Sequence, residues 1–421
     1  MSEKFIINGG KKLYGSVRID SSKNAILPIL AGCILCEDEV VLHDCPNFND
    51  INAMLEVLRI LGAKIKKDGK DIYIDCKNIE FHYIPSELTK IIRSSIFVLG
   101  ALLGRLGKAK IAYPGGCDIG LRPIDMHLKG LKELGIEVAE KHGYIYCDAK
   151  NFTPNTITLD YPSVGATENL IMVAVLSGGT TKILHPAREP EIVDLQQFIN
   201  AMGGDVSGAG TDEIVINGVK RLHAVHYTPM PDRIIAGTIM VACAMAGGEI
   251  ILEHCEPKHF LSIIDKLSKS SCKIVAFNDK IYIHSDGALH SFGGIETGPY
   301  PGFPTDMQTQ MLTMATICEG NTKICENVFE NRFKIVPELC KMGADISVVG
   351  NTCWIKGVKN LYGATVYAQD LRGGASLVLA GLSAKGYTTI YDVWHIDRGY
   401  DRLDLMLSSL GADIRRQKID A

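Results

Sequence analysis

Cys117 stands in the stretch YPGGCDIGLRP, Tyr113 to Pro123, behind two glycines and five residues before Arg122. An Asp-x-His pair, Asp125 and His127, follows just beyond. A thiol reacts through its thiolate, and a neighbouring guanidinium favours that form. Gly115, Gly116 and Gly120 predict a flexible, exposed loop around it. Other cysteines, such as Cys243, Cys318 and Cys340, lie in apolar runs and read as small hydrophobes. Cys33 and Cys36 with His43 and Cys45 are metal-ligand types. They lack a second spaced pair, and Cys33 and Cys36 fall at an apolar helix end, so packing accounts for them and no metal is expected.

Other charged residues gather where helices should begin. The starts are SSKN (Ser21 to Asn24), PSELTKIIR, PSVGAT from Pro162, MPDR, FPTD (Phe303 to Asp306) and AQDLRGG from Ala368. Ser, Thr and Asp there read as N-caps. A buried helix start offers free N–H groups and partial positive charge, which suit phosphate or carboxylate. Lys23 and Arg122 add full charges to such a site. Taken singly, each has a plainer reading: Lys23 a solvated first-turn residue, Asp306 a favourable N-terminal acid, Arg398 a surface ion-pair partner, Arg93 a helix flank. The two glycines after Arg372 predict a loose start to the last of these helices.

These starts recur because the chain is a repeat. LGAKI ending at Ile65 returns as LGIEV at Val138, MGGDV at Val206, a degenerate SSCKI at Ile274, MGADI at Ile346 and LGADI at Ile414. The intervals are 73, 68, 68, 72 and 68 residues. Six units of about 70 residues follow, longer than the ~20–45 of common solenoids. Each reads as an apolar helix, a glycine turn, a short strand, an amphipathic helix and a hairpin. In the first unit these are SSKNAILPILAGCIL, EVVLHD, DINAMLEVLRILG, AKIKKDG and DIYIDC. The apolar helices belong inside and the amphipathic ones outside. Small residues in the inner helices predict close packing among them. Repeats one to three end near His226, and YTPMPDR makes the crossing to the other three.

With 421 residues the chain is long enough for two domains. A net charge of −4, from 44 basic and 48 acidic residues, argues against general nucleic-acid binding, so any anion must meet a local cluster. The start MSEKFIINGG has no apolar signal core, and no apolar run reaches the ~18 residues of a membrane span. The expectation is a cytoplasmic protein with reduced thiols. Neither G-x-x-x-x-G-K-[ST] nor a strand-borne G-x-G-x-x-G is present.

The motifs SSKNAILPIL, PGGCDIGLRPIDMH, PSVGATEN, AREPEIVD, FPTDMQ, FENRF and HIDRGYDR resemble, in order and from about residue 5 to 415, the UDP-N-acetylglucosamine 1-carboxyvinyltransferases of the EPSP synthase superfamily. The resemblance implies an α/β fold, a two-domain inside-out α/β barrel of six βαβαββ-type repeats, three per domain. It implies one domain over 22–229 and another from 1–21 plus 230–421, with the active site in the cleft between them. It further implies transfer of the enolpyruvyl group of phosphoenolpyruvate to the sugar 3′-hydroxyl, releasing phosphate, in the first committed step of peptidoglycan synthesis.

By motif match Cys117 is the mobile-loop acid and nucleophile, and the residue that fosfomycin alkylates. Asp306 is the candidate base; Lys23, Asn24, Arg122 and Arg398 surround phosphoenolpyruvate. The sugar nucleotide falls to Asn24, Arg93, Arg122, Pro123, Ile124, Asp125, Met126, Ser163, Val164, Gly165, Asp306 and Val328. Asp370 and Leu371 line the cleft. No cofactor is implied. The shikimate-3-phosphate transferase is the nearest alternative and lacks the Gly-Gly-Cys loop. The RNA 3′-phosphate cyclases share the unit but need a nucleotidylated histidine, whereas His395 lies in HIDRG. A retired regulatory paralogue would have lost Cys117, Lys23 or Asp306.

Overall fold

The computed structural model describes residues 3–84, 93–113, 120 and 124–419, with Arg93 and Ser94 as backbone only. Cys117, Arg122 and Pro123, and the helix start expected at PSELTKIIR before Arg93, lie outside the described residues. The described strands form six four-stranded sheets of one topology. In each, a short edge strand runs parallel to a second strand, and two antiparallel strands follow. Thr156–Thr158 lies parallel to Thr180–Leu184, for instance, which pairs antiparallel with Glu213–Asn217 and through it with Asp205–Ser207. The repeat read from the LGAKI phrase is therefore a folding unit, and the phrase marks where the outer helix turns into the hairpin.

Three of the six sheets are assembled from distant parts of the chain. His226–Tyr227 is the parallel edge strand beside Val40–Leu42, at the other end of its half. Leu13–Arg18 plays the same part beside Gly248–Glu253, and Glu3–Asn8 lies between Tyr387–Tyr391 and Asp413–Lys418. The sequence reading missed the role of His226–Tyr227, because a two-residue strand carries no alternation to detect.

By their contacts the described residues fall into two compact units: a first from Ser21 to Met230, and a second from residues 3–20 with 231–419; the Gly120 loop aside. In the first, Ser22 N–H donates to Met230 O, and Ser21 Oγ to Pro229 O. In the second, Asp232 N–H donates to Asp20 O. Each unit thus ties the point where the chain leaves to the point where it returns.

Inner helices are buried along nearly their whole length: Lys23–Gly32, Phe97–Leu106 and Val164–Ala174 in the first unit, Arg233–Ala246, Gln308–Ala315 and Leu371–Ser383 in the second. Close approach depends on small residues, as expected. A Cβ on Gly100 would stand 2.5 Å from Asn169 O and Oδ1. That contact brings Asn169 Oδ1 within 2.7 Å of the Gly100 N–H. Cys243 and Cys318 are buried as expected, but Cys340 is exposed, since it lies on the outward face of the short helix Val336–Lys341 beside buried Leu339. Every described cysteine is a free thiol, and Cys45, Cys76 and Cys147 are pushed up to about 12 by burial. No described helix is long and apolar enough to cross a membrane.

Replacing Gly100 by Ala sets a helix-propensity gain of up to ~1 kcal/mol against an overlap with backbone and a displaced hydrogen bond. Overpacking costs about 1–3 kcal/mol and loss of the bond about 1 more, so the variant is expected to melt several degrees below wild type in thermal unfolding.

Candidate active site

In the first unit, Lys23 is the first residue of its helix, and its Nζ lies 3.1 Å from Asp50 Oδ2. The Lys23 side chain is only 13% exposed and that of Asp50 6%, so the pair is a partly buried device and not a solvated first-turn lysine. Asp50 sits in the first turn of Asn49–Leu61, a residue the sequence reading passed over because an acid at a helix start is common. Asn24 is half-buried beside Lys23.

The two segments expected to hold the sugar nucleotide meet. Ile124 is buried, Asp125 opens the helix Asp125–Glu133, and Met126 follows it. Ser163, Val164 and Gly165 start the helix Val164–Ala174, with Ser163 Oγ accepting the Ala166 N–H. A Cβ on Gly165 would come within 3.0 Å of the His127 ring. Asn169 Nδ2 lies 2.8 Å from His127 Nδ1. The amide nitrogen can only donate, so Nδ1 accepts and the imidazole proton sits on Nε2. This small network joins both segments across a distance of some 40 residues in sequence.

The same helix buries Glu168, whose two carboxylate oxygens have no hydrogen-bond partner among the described residues. Burial, and then Glu191 and Glu189, push its carboxyl well above the ordinary range.

In the second unit Asp306 is not an N-cap. It lies in the 3₁₀ turn Thr305–Met307, and its carboxylate is gripped from two sides. Arg332 Nη2 reaches Oδ1 at 2.5 Å and Arg372 Nη2 reaches Oδ2 at 3.0 Å. Both arginines are buried, 3% and 2% exposed at the side chain, while Asp306 keeps 24%. Arg372 lies over the Tyr400 ring, whose hydroxyl is 2.9 Å from Thr238 Oγ1. Gln310 Nε2 donates to that Thr238 oxygen and to Asp306 O. Burial works against the Arg372 charge, but Asp306 and Tyr400 outweigh it and hold the guanidinium above its ordinary range. Its Nε and Nη1 are buried without hydrogen-bond partners among the described residues.

Thr305 links this clamp to the next segment. Its hydroxyl accepts from Arg332 Nε at 3.2 Å and donates to both oxygens of Glu326 at 3.0 Å. Val328 lies two residues beyond Glu326, and its N–H donates to Glu326 Oε1. Asp370, expected as a cleft-lining acid, caps its helix: Oδ1 accepts the N–H groups of Arg372 and Gly373. The two glycines therefore do not loosen that start. Leu371 is buried beside it. Arg398 ends the 3₁₀ helix Val393–Arg398. Burial and then the Arg398 charge push the nearby His395 down, keeping that imidazole neutral at pH 7. The sequence reading gave Arg332, Arg372 and Glu326 no part in the site, since only the fold shows the two arginines converging on Asp306 and Glu326 on Thr305.

A six-repeat α/β chain with paired buried charges at its helix starts has known counterparts. The family model described as EPSP synthase (3-phosphoshikimate 1-carboxyvinyltransferase) matches residues 7–405. The enolpyruvyl transferase NikO from Streptomyces tendae superposes with a TM-score of 0.89 at 26% identity over the whole of both chains. An EPSP synthase from Acinetobacter baumannii shares the fold, with a TM-score of 0.75 at 18% identity over 99% of this chain and all of its own. The chain belongs to the EPSP synthase family. Within it, the full-length relatives carry a more particular name, UDP-N-acetylglucosamine 1-carboxyvinyltransferase. One from Caldanaerobacter subterraneus subsp. tengcongensis is 49% identical over 98% of this chain and 99% of its own, and one from Myxococcus xanthus is 43% identical over 99% and 100%.

Glu168 has a measurable consequence. Its folded carboxyl is raised above the unfolded value of ~4.5, so the stability it allows is fully present below that pH and is lost as pH rises through the folded pKa. Glu168→Gln is expected to melt above wild type at pH 8 and to converge with it near pH 4, in thermal unfolding across that range.

Proposed function

We propose that the chain transfers the enolpyruvyl group of phosphoenolpyruvate to the 3′-hydroxyl of UDP-N-acetylglucosamine and releases phosphate. This is the first committed step of peptidoglycan synthesis, carried out in the cytoplasm. The observation that carries the reading is Arg372. Buried donors without partners are rare, and among the described residues Nε and Nη1 of Arg372 are left over beside a carboxylate already held by a second arginine. An anionic substrate placed near Asp306 supplies the missing acceptors. The acceptor sugar follows from the relatives, 43–49% identical and named for it, whereas the shikimate-pathway likeness rests on the shared fold.

Addition joins the 3′-oxygen to C2 of phosphoenolpyruvate while Cys117 gives its thiol proton to the methylene carbon, leaving a tetrahedral intermediate. Asp306 takes the hydroxyl proton; its two guanidinium contacts hold it in place. Elimination returns a proton from the methyl group to the Cys117 thiolate, re-forms the double bond and expels phosphate with the C–O electron pair. Lys23, Arg122 and Arg398 hold the phosphate and carboxylate of the donor, where fixed positive charge favours the developing leaving group. Asp50 orients Lys23. Asn24, Arg93, Arg122, Pro123, Ile124, Asp125, Met126, Ser163, Val164, Gly165, Asp306 and Val328 bind the sugar nucleotide, Leu371 adds apolar lining, and the glycines at Cys117 let its loop close. Addition and elimination involve no net redox change and call for no cofactor. The epoxide of fosfomycin is attacked by the Cys117 thiolate.

Phosphate release is the test, with phosphoenolpyruvate and either UDP-N-acetylglucosamine or shikimate-3-phosphate. Release is expected with the sugar nucleotide alone, absent in Cys117→Ala and lowered about 10²–10⁴-fold in kcat by Asp306→Asn. Release with shikimate-3-phosphate instead would overturn the reading of the acceptor.

A further inference from the structure

We propose that Glu326 is a positioning residue that couples the segment carrying Asp306 to the segment carrying Val328; the inference rests on the transfer reaction above. Glu326 is 3% exposed and directly follows the strand Asn321–Cys325. Four groups donate to its carboxylate, and each comes from a segment with its own task. Thr305 Oγ1 donates to both oxygens at 3.0 Å, from the residue before Asp306. Val328 N and Phe329 N donate to Oε1 at 2.9 and 3.0 Å. Thr297 Oγ1 donates to Oε1 at 2.9 Å and accepts the Asn327 N–H at 2.9 Å.

The hydroxyl protons are committed in direction. Arg332 Nε can only donate, so the Thr305 oxygen accepts from it and its proton goes to Glu326. Asn327 N can only donate, so the Thr297 proton also goes to Glu326. A carboxylate is acceptor-only and serves every donor; an amide offers one oxygen and two unwanted N–H groups. Thr297 and Glu326 also follow neighbouring parallel strands, Gly294–Glu296 and Asn321–Cys325, the carboxyl ends where α/β sheets place ligands. In four other repeats the turn after this strand holds a left-handed residue, Asp44, His185, His254 or Asp392, with φ of 56–58°. At Glu326 the buried carboxylate organises the turn in its place.

The two arms separate in kinetics. Thr305→Val cuts Glu326 from the Asp306 clamp, and Thr297→Val removes the hydroxyl that bridges Glu326 Oε1 to the Asn327 N–H. In steady-state assays with UDP-N-acetylglucosamine and phosphoenolpyruvate, Thr305→Val is expected to lower kcat about tenfold or more with a smaller change in the sugar-nucleotide KM. Thr297→Val is expected to raise that KM about tenfold with a smaller change in kcat, and Glu326→Gln to do both. Melting temperatures of all variants are measured alongside. If kcat and KM shift together in both threonine variants, or follow the loss of melting temperature, Glu326 is a structural residue and the proposal fails. Wild type that does not turn over this pair overturns the transfer reaction itself, and with it this inference.

Discussion

The carboxylate of Asp306 between the buried guanidiniums of Arg332 and Arg372 is the interaction around which the second unit is organised. Taking such charges out of water costs several kcal/mol per ion, repaid only by close pairing and further hydrogen bonds. The surroundings supply them: Thr305 to Arg332, Tyr400 beneath Arg372, and Gln310 to the Asp306 backbone. Each of these is held in turn by Glu326 or Thr238. Three charges thus define the ends of two inner helices and the turn that leads to Val328. Arg372 keeps two buried donors, Nε and Nη1, without partners among the described residues.

In the first unit Lys23 pairs with the Asp50 carboxylate, and the neighbouring helix starts carry a serine cap and the Asn169–His127 contact. One sheet topology is repeated six times, and inner-helix starts are described in five of the repeats. What differs is which side chain stands there: a lysine at Lys23, a serine at Ser163, a capping acid at Asp232 and Asp370, a clamped acid at Asp306. Repetition supplies the scaffold, and substitution at equivalent places supplies the chemistry.

Much of this was legible beforehand because it is local. The helix caps at Ser163, Asp232 and Asp370, the buried inner helices and the hairpins after each LGAKI-like phrase all follow from short-range pattern and period. The motifs naming Lys23 and Asp306 as charged first-turn residues were legible for the same reason. Asp306 shows the limit: as a sequence feature it is a first-turn acid like any other, and its meaning comes from Arg332 and Arg372, 26 and 66 residues away.

The amino-acid sequence by itself determined the sixfold repeat, the inner and outer helices and the types of residue available for chemistry, since periodicity and capping are written in neighbouring positions. Only the tertiary structure decided that His226–Tyr227 closes the first sheet, that Asp50 holds Lys23, that Asp306 is clamped, and that Glu326 gathers four donors. Those outcomes depend on which distant side chains burial brings within hydrogen-bond reach, and a buried charge accepts only the arrangement in which its partners are all present.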